Sequence, residues 1–266
     1  MTRVLVTGGT GYLGRHVVTI LRENGHTPRI MSRSPRPASL LPGTEWVQAH
    51  LASGQGIEDA VQSCDVIVHT ATSLSRARQS DVAGTQRLLE AARHAEVVHV
   101  VYISIVGIDR IPYAYYRDKL ATEEVVKQSG NPWSILRTTQ FHKLADRVMQ
   151  AATKLPFIAI VPTDFKAQTV DAHEVAQRLC DLVASDPQGR APDFGGPEVL
   201  TFGEMARTWL AFYKKRRLVI PLWLPGGFAQ GFLRGDNTCP NEAVHGNTTW
   251  MQWLQNKHSV EASEGR

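Results

Sequence analysis

The chain has 266 residues, a formal net charge of +4 and a sequence pI near 9.0. With 42% hydrophobic and 20% charged residues, its composition is that of a globular protein large enough for one α/β unit with a smaller appendage. The mild positive charge comes without a basic helix or an aromatic-interleaved stripe, so we expect no nucleic-acid partner.

The sequence also argues against a metal site, a disulfide framework and a membrane-spanning segment. The three cysteines are far apart, and the ten histidines show no ligand spacing, so we expect neither a disulfide framework nor a metal site. The most apolar stretch, residues 218–232, is interrupted by prolines and glycines and is too short to span a bilayer. Because Met1 leads directly into the first predicted strand, we expect a cytoplasmic protein without a signal peptide or a membrane partner.

A glycine-rich turn follows the apolar residues Val4–Val6 and precedes a helical segment at residues 16–23. The spacing of Gly8, Gly11 and Gly14 is that of a dinucleotide-binding turn between a strand and a helix N-terminus. Gly8 allows the chain to reverse, Gly11 allows close approach of a pyrophosphate, and Gly14 allows the helix to pack on the strand. A second strand at residues 28–32 completes a βαβ unit.

The end of this second strand indicates which dinucleotide is preferred. Proteins that prefer NAD usually carry Asp or Glu there, whereas this chain has Arg33 within Ser-Arg-Ser-Pro-Arg. A guanidinium binds a 2′-phosphate that a carboxylate would repel. The sequence therefore predicts NADP(H), with Arg33 as the first candidate for the phosphate and Arg15 and Arg36 as helpers; solvated surface arginines are the alternative.

Strands and helices continue to alternate along the first half of the chain. This rhythm predicts a doubly wound parallel sheet of the Rossmann type with right-handed crossovers. We expect a core at residues 1–142, a smaller substrate-covering region at 143–256 and a disordered tail at 257–266. After residue 32 we predict strands at 45–49, 65–69, 97–104 and 133–137, and helices at 57–63, 80–94, 115–129, 144–153, 172–185 and 201–213.

A catalytic constellation is predicted around the fifth strand. Ser104 closes that strand, and Tyr115 and Lys119 follow one helical turn apart, on one face. A nearby ammonium lowers the pKa of a tyrosine, which makes the phenol usable as an acid or base, and a serine hydroxyl can hold a carbonyl oxygen. Tyr113 and Tyr116 are rival tyrosines, and Tyr116 lies three residues from Lys119.

Several short motifs recur in one known superfamily in this order. The chain resembles the extended and atypical short-chain dehydrogenases/reductases, in the branch that includes NmrA-like NAD(P)H-binding proteins. The resemblance rests on the glycine turn, His69-Thr70-Ala71-Thr72, Gly84-Thr85, Ser104-Ile105-Val106-Gly107, residues 115–119, residues 136–141 and residues 170–176.

The resemblance implies roles for particular residues. The turn, with Thr10, Tyr12 and Leu13 between its glycines, would hold the pyrophosphate. Ala71 would line the cofactor cleft, Lys119 would reach the nicotinamide ribose, and the segment Gln140-Phe141-His142 would line the substrate pocket. A hydrogen-bonded structural histidine is the alternative for His142. The sequence departs from relatives at His50-Leu51, where an Asp-Leu often lies near the adenine.

We therefore expect an NADPH-dependent oxidoreductase that reduces a carbonyl or related C=X bond of a small, partly apolar metabolite. Two alternatives stay open: a non-catalytic NADP-binding sensor or regulator, and a redox-neutral epimerase or dehydratase with tightly held cofactor. Homodimer formation through the helices that flank the sheet also stays open.

Overall fold

The first half of the chain alternates strands with helices, as its apolar pattern predicts. In the computed structural model, which describes residues 1–72, 77–240 and 243–264, every predicted strand and helix of this half is found within a few residues of its expected bounds. The elements are β1 (Arg3–Thr7), α1 (Tyr12–Glu23), β2 (Thr27–Ser32), β3 (Glu45–Gln48), α2 (Ile57–Val61), β4 (Val66–His69), α3 (Ala77–His94), β5 (His99–Ile105), α4 (Ala114–Gln128) and β6 (Trp133–Thr138).

Shorter elements make up the second half. The three helices predicted there are present, and two further helices and several two-residue strands occur that the sequence pattern did not indicate. The elements are α5 (His142–Ala152), β7 (Ile158–Val161), β8 (Lys166–Ala167), α6 (Ala172–Val183), β9 (Gly189–Arg190), β10 (Phe194–Gly195), β11 (Leu200–Thr201), α7 (Phe202–Phe212), β12 (Leu218–Pro221), α8 (Gly227–Arg234), β13 (Val244–His245) and α9 (Trp250–Glu264).

The chain divides into two compact units. Each unit is made of several chain segments, whereas the sequence predicted a single boundary after residue 142. The first unit comprises residues 1–104, 114–137 and 172–192, and the second comprises 105–113, 138–171 and 193–266. Helix α6 therefore belongs to the first unit, because its apolar side packs on α1. That the chain comes back to the first unit at α6, after a segment of the second unit, is determined by long-range packing, which leaves no local signal in the sequence.

The first unit is a doubly wound α/β sheet. Its strands lie in the order β3-β2-β1-β4-β5-β6, with β9 beside β6. The pairs β2–β3, β1–β2, β1–β4, β4–β5 and β6–β9 are parallel. Leu5, Ile67 and Val100 pack toward α2, α3 and α4 on one face. Helices α1 and α6 contact each other as a separate pair. The strand order reverses between β1 and β4, and ligands of such sheets bind beyond the carboxyl ends of strands at this point.

The second unit has its own core around a buried carboxylate. Asp146 on α5 accepts hydrogen bonds from Trp209 Nε1 on α7 (2.8 Å) and from Lys257 Nζ on α9 (2.8 Å). Trp250, Trp253 and other apolar side chains of α9 are buried in the same core. Residues 257–264 of the tail expected to be disordered continue helix α9, which Trp250, Trp253 and Lys257 anchor. Residues 265–266 lie outside the described range.

We expect Asp146→Ala to lower the free energy of unfolding by about 3 kcal/mol, because a buried indole N–H and a lysine would both lose their acceptor. Lys257→Met should cost less than about 1 kcal/mol, because this ammonium is partly exposed. Urea unfolding followed by circular dichroism measures both. Similar small losses in the two variants would show that the carboxylate does not hold the three helices together.

Candidate cofactor and active site

The glycine turn lies where the strand order of the first unit reverses. Gly8 has a φ of +70°, in the left-handed region that glycine adopts without strain, and a Cβ there would lie 2.9 Å from Cα of Ala71. A Cβ on Gly14 would overlap the carbonyl oxygen of Gly8. The backbones of the turn, of α1 and of the segment after β4 are thus in direct contact, and a larger residue at either glycine would force them apart.

The N-terminus of α1 has the properties of an anion site. Gly11 caps the helix with extended backbone (φ −75°, ψ 177°), and no side chain of the described residues provides a cap hydrogen bond there. The first turn, starting at Tyr12 and Leu13, contains no acidic residue. Arg15 lies on the same turn and donates from Nε to the carbonyl oxygen of Thr10 (3.0 Å). Exposed backbone N–H groups and the helix dipole favour a phosphate group at such an end.

The two arginines after β2, Arg33 and Arg36, lie in different surroundings. Arg33 follows the last residue of the strand and is exposed, and its carbonyl oxygen accepts a hydrogen bond from Gln48 Nε2 (3.1 Å). Arg36 lines an open cleft together with Arg29 and Glu45. Arg33 therefore has its guanidinium available at the carboxyl end of β2, whereas Arg36 belongs to a separate part of the surface.

A hydrogen-bonded chain centred on His69 joins β1, β4 and α3. Thr85 Oγ1 donates to the carbonyl oxygen of Asp81 (2.6 Å), so it must accept from His69 Nε2 (2.9 Å). His69 Nδ1 then accepts from Thr7 Oγ1 (2.6 Å), which in turn accepts from Ala71 N (3.3 Å). Burial, with a smaller contribution from the Lys119 charge, lowers the pKa of His69 to about 3. A neutral imidazole of fixed tautomer thus holds the strand end beside Gly8.

Tyr115 and Lys119 lie on α4 as the spacing predicts, in different surroundings. Lys119 is 5% exposed; its Nζ donates to the carbonyl oxygen of Ile103 (2.8 Å) and lies 4.2 Å from the ring centroid of Tyr102. Burial lowers the pKa of Lys119 to about 8, although the Asp81 and Glu123 carboxylates oppose the shift. Tyr115 is half-buried, and its hydroxyl lies 3.2 Å from Thr72 Oγ1.

The rival tyrosines are less suitable. Tyr116 is 4% exposed, and Tyr113 lies in the second unit with its ring against Phe228. Of the three tyrosines, Tyr115 therefore combines the required spacing from Lys119 with an accessible hydroxyl.

Ser104 lies in a buried ionic cluster that the sequence analysis missed. Arg137 on β6 donates two hydrogen bonds to the Glu123 carboxylate on α4, both 2.7 Å long. Burial alone would raise the pKa of Glu123, but these bonds, the approach of Ser104 and the charge of Arg190 hold it below its usual value. Ser104 Oγ approaches Glu123 without the geometry of a full hydrogen bond to any described residue.

Ser104 is 1% exposed, and the hydroxyl that meets Tyr115 is that of Thr72. The predicted contact of Ser104 with a substrate oxygen stays a prediction. The signal for the cluster was a lone arginine at the end of the apolar strand Trp133–Leu136, because a charge in a buried strand requires a partner. Nothing in the sequence identified Glu123 as that partner.

The segment predicted to line a substrate pocket lies in the second unit. Gln140 and Phe141 are half-buried. His142 is 1% exposed, its Nδ1 accepts from Thr169 Oγ1 (2.7 Å), and its Nε2 donates to the carbonyl oxygen of Thr248 (3.1 Å). The structural alternative therefore describes His142 better than substrate contact does, because both ring nitrogens are engaged within the core.

Comparison with known proteins identifies the family. Residues 8–186 match a family described as NAD(P)H-binding. The chain belongs to this NAD(P)H-binding family. The matched range includes the glycine turn, His69, Tyr115 and Lys119, and the ligand class of the family agrees with the predicted nicotinamide dinucleotide.

Curated relatives of this NAD(P)H-binding protein include dehydrogenases and reductases. It is 31% identical over 148 residues to a 3-beta-hydroxysteroid dehydrogenase of Mycolicibacterium neoaurum, covering 47% of this chain and 40% of the relative. It is 26% identical over 205 residues to a (4-alkanoyl-5-oxo-2,5-dihydrofuran-3-yl)methyl phosphate reductase of Streptomyces griseus subsp. griseus, covering 76% and 70%. The chain spans only between 40% and 53% of the length of three of the curated relatives that it matches.

The fold is shared with solved structures. An NADPH-dependent quinone oxidoreductase from Escherichia coli, complexed with NADPH, has a TM-score of 0.80 at 18% identity, covering 96% of this chain and 99% of that one. The predicted Rossmann-type fold is thereby confirmed, and the family match confirms the predicted NAD(P)H binding class. The NmrA-like branch stays a prediction. In the part of the chain that the structure describes, no helix is long and apolar enough to cross a membrane.

We expect Gly14→Ala to destabilise the protein by about 2 kcal/mol or more, because its Cβ would overlap the backbone of the turn and force α1 away from it. Arg15→Ala, at the next and exposed position of the same helix, is the matched control and should cost less than about 0.5 kcal/mol. Thermal unfolding measures both. Equal melting temperatures for Gly14→Ala and the wild type would contradict the close backbone packing.

The neutral His69 predicts a loss of stability in acid. The unfolded chain binds a proton at His69 below about pH 6.5, whereas the folded chain does so only near pH 3, so stability falls as the pH drops through this window. At about pH 5 this amounts to about 2 kcal/mol relative to neutral pH. In His69→Gln, the part of the pH dependence of the unfolding free energy that is due to His69 should disappear. In His94→Gln, at an exposed histidine, it should remain. Urea unfolding at the two pH values decides; equal slopes in all three proteins would refute a buried neutral His69.

Proposed function

We propose that the protein is an NADPH-dependent reductase of a carbonyl or related C=X bond in a small, partly apolar molecule. The observation that carries the proposal is the pairing of an accessible Tyr115 hydroxyl with a buried, cationic Lys119 on α4. Both belong to the unit whose glycine turn has the backbone packing of a dinucleotide site. The names of the curated relatives, a hydroxysteroid dehydrogenase and a furanone phosphate reductase, support the same reaction class.

The residues fit a nicotinamide dinucleotide. The turn from Gly8 to Gly14, with Thr10, Tyr12 and Leu13, would hold the pyrophosphate at the N-terminus of α1, and Ala71 would line the cleft. Arg33 would bind the 2′-phosphate, because it is exposed after β2 and no carboxylate occurs between Ser32 and Arg36. When bound, NADPH supplies a hydride equivalent to the substrate.

The protein's own residues then provide the proton. Tyr115 would donate its phenolic proton to the substrate oxygen as negative charge develops there. Lys119 is positively charged below about pH 8, and its ammonium one helical turn away favours the phenolate that this transfer leaves. Because Lys119 is held by the carbonyl oxygen of Ile103, it is in place before any substrate arrives.

Cofactor choice is tested by calorimetric titration with NADPH, NADH, NADP⁺ and NAD⁺. We expect NADPH to bind at least about 10-fold more tightly than NADH, and Arg33→Ala to remove that difference, because a bidentate arginine–phosphate contact would be lost. Arg36→Ala, an exposed arginine of the neighbouring cleft, is the control and should bind like the wild type. Equal binding of NADH and NADPH by the wild type would reject the role of Arg33.

Turnover is tested with NADPH and a panel of ketones, enones and imines. Tyr115→Phe should lower kcat by at least about 100-fold, because the general acid is removed. Tyr113→Phe, in the second unit, should leave kcat unchanged. Full activity of Tyr115→Phe would reject the tyrosine mechanism, and tight NADPH binding without turnover of any compound would favour the sensor alternative.

A further inference from the structure

The Tyr115 hydroxyl is part of a hydrogen-bond chain whose direction is fixed by chemistry. Thr72 Oγ1 donates to Asp81 Oδ2 (2.9 Å) and lies 3.2 Å from the Tyr115 hydroxyl. A threonine hydroxyl has one proton, and a carboxylate oxygen only accepts. Since Thr72 gives its proton to Asp81, Tyr115 must be the donor in the second bond, and its O–H is directed at Thr72.

Thr72, which meets the Tyr115 hydroxyl, and Asp81, which accepts from Thr72, lie on backbone segments that other hydrogen bonds anchor. Asp81 is tied through its carbonyl oxygen to Thr85, which accepts from His69. Thr72 follows His69 by three residues, and the preceding Thr70 donates from Oγ1 to the carbonyl oxygen of Thr7 (2.7 Å). The backbone segments that carry the Thr72 hydroxyl and the Asp81 carboxylate are therefore anchored to the same chain that fixes the end of β4.

The charges around this chain act in opposite directions. The Lys119 ammonium favours a phenolate, whereas the Asp81 carboxylate opposes it twice: through its own charge, and by holding the Thr72 proton so that Thr72 cannot donate to a phenolate. Asp81 also raises the pKa of Lys119, and the two hydrogen-bond distances through Thr72 place the same carboxylate near the Tyr115 hydroxyl. Among the residues that the structure describes, the titratable groups around the chain are Asp81 from α3, Lys119, Tyr116 and Glu123 from α4, and Tyr102 from β5.

We propose that Asp81, acting through Thr72, is a positioning residue that keeps Tyr115 protonated and sets the direction of its O–H until a substrate oxygen takes the proton. The proposal deepens the proposed reductase function and rests on it for its catalytic meaning. In the reaction the Tyr115 proton swings from Thr72 to the substrate oxygen and is transferred there. Thr72 can then turn its own proton from Asp81 to the phenolate, so that no further proton is required during the step.

The test is an ultraviolet pH titration of tyrosinate in the cofactor-free protein. Subtracting from each protein's curve that of the same protein with Tyr115→Phe added isolates Tyr115 among the six tyrosines, because Asp81 also acts on Tyr102. Asp81→Asn should move the ionisation of Tyr115 to lower pH by about one unit or more, because an amide can donate to Thr72 and release the threonine proton to the phenolate. Glu90→Gln, an exposed carboxylate on the same helix, should leave it unchanged.

A double-mutant cycle separates the route through Thr72 from the charge of Asp81 alone. In a Thr72→Val background, Asp81→Asn should shift Tyr115 by clearly less than in the wild type, since only the direct charge effect remains. Thr72→Ser keeps the hydroxyl and should restore the full shift. Equal shifts in the wild-type and Thr72→Val backgrounds would overturn the proposal, as would an unchanged Tyr115 in Asp81→Asn.

Failure of the proposal on Asp81 is distinguishable from failure of the proposed reductase function, because the titration needs neither cofactor nor substrate. Circular dichroism checks that each variant is folded; the backbone anchor of Asp81 to Thr85 does not involve the substituted carboxylate. If Tyr115→Phe kept full activity while the cycle behaved as expected, the reductase mechanism would fail and the hydroxyl chain would stand.

Discussion

Close backbone contact at the reversal of the strand order is the constraint on which the rest of the first unit depends. Gly8 and Gly14 let the turn, α1 and the segment after β4 meet without side chains between them. That contact directs the helix N-terminus to the carboxyl edge of the sheet and brings Ala71 beside the turn. The His69 chain then fixes Thr72 and Asp81 relative to this edge, and Thr72 fixes the hydroxyl of Tyr115.

Several buried polar side chains in this unit have hydrogen-bond partners or charged neighbours within the core. His69 stays neutral between two threonines, Lys119 stays close to carboxylates, and Glu123 is neutralised by Arg137. Each arrangement is costly to break, because it would leave an unsatisfied polar group or an unpaired charge out of contact with water. Burial keeps His69, Glu123 and Arg137 in structural roles, whereas Tyr115 keeps an accessible hydroxyl.

The sequence predicted local patterns well and side-chain surroundings poorly. The glycine spacing, the apolar strands and the interval from Tyr115 to Lys119 are short-range signals, and the fold and family agree with them. The return of α6 to the first unit and the pairing of Glu123 with Arg137 depend on contacts between distant segments. Ser104 shows the limit clearly: its place at a strand end was correct, but the carboxylate that its hydroxyl approaches, Glu123, lies on a helix 19 residues further along the chain.

The stack formed by His142, Trp250 and Trp253 has a practical consequence for spectroscopy. Four of the six tryptophans, Trp209, Trp223, Trp250 and Trp253, belong to the second unit, and only Trp46 and Trp133 belong to the first. The indoles of Trp250 and Trp253 lie parallel with centroids 5.6 Å apart, and His142 packs against both. Intrinsic fluorescence of this protein is therefore weighted toward the second unit. Replacing Trp46 and Trp133 by phenylalanine would leave an emission that comes from the second unit alone.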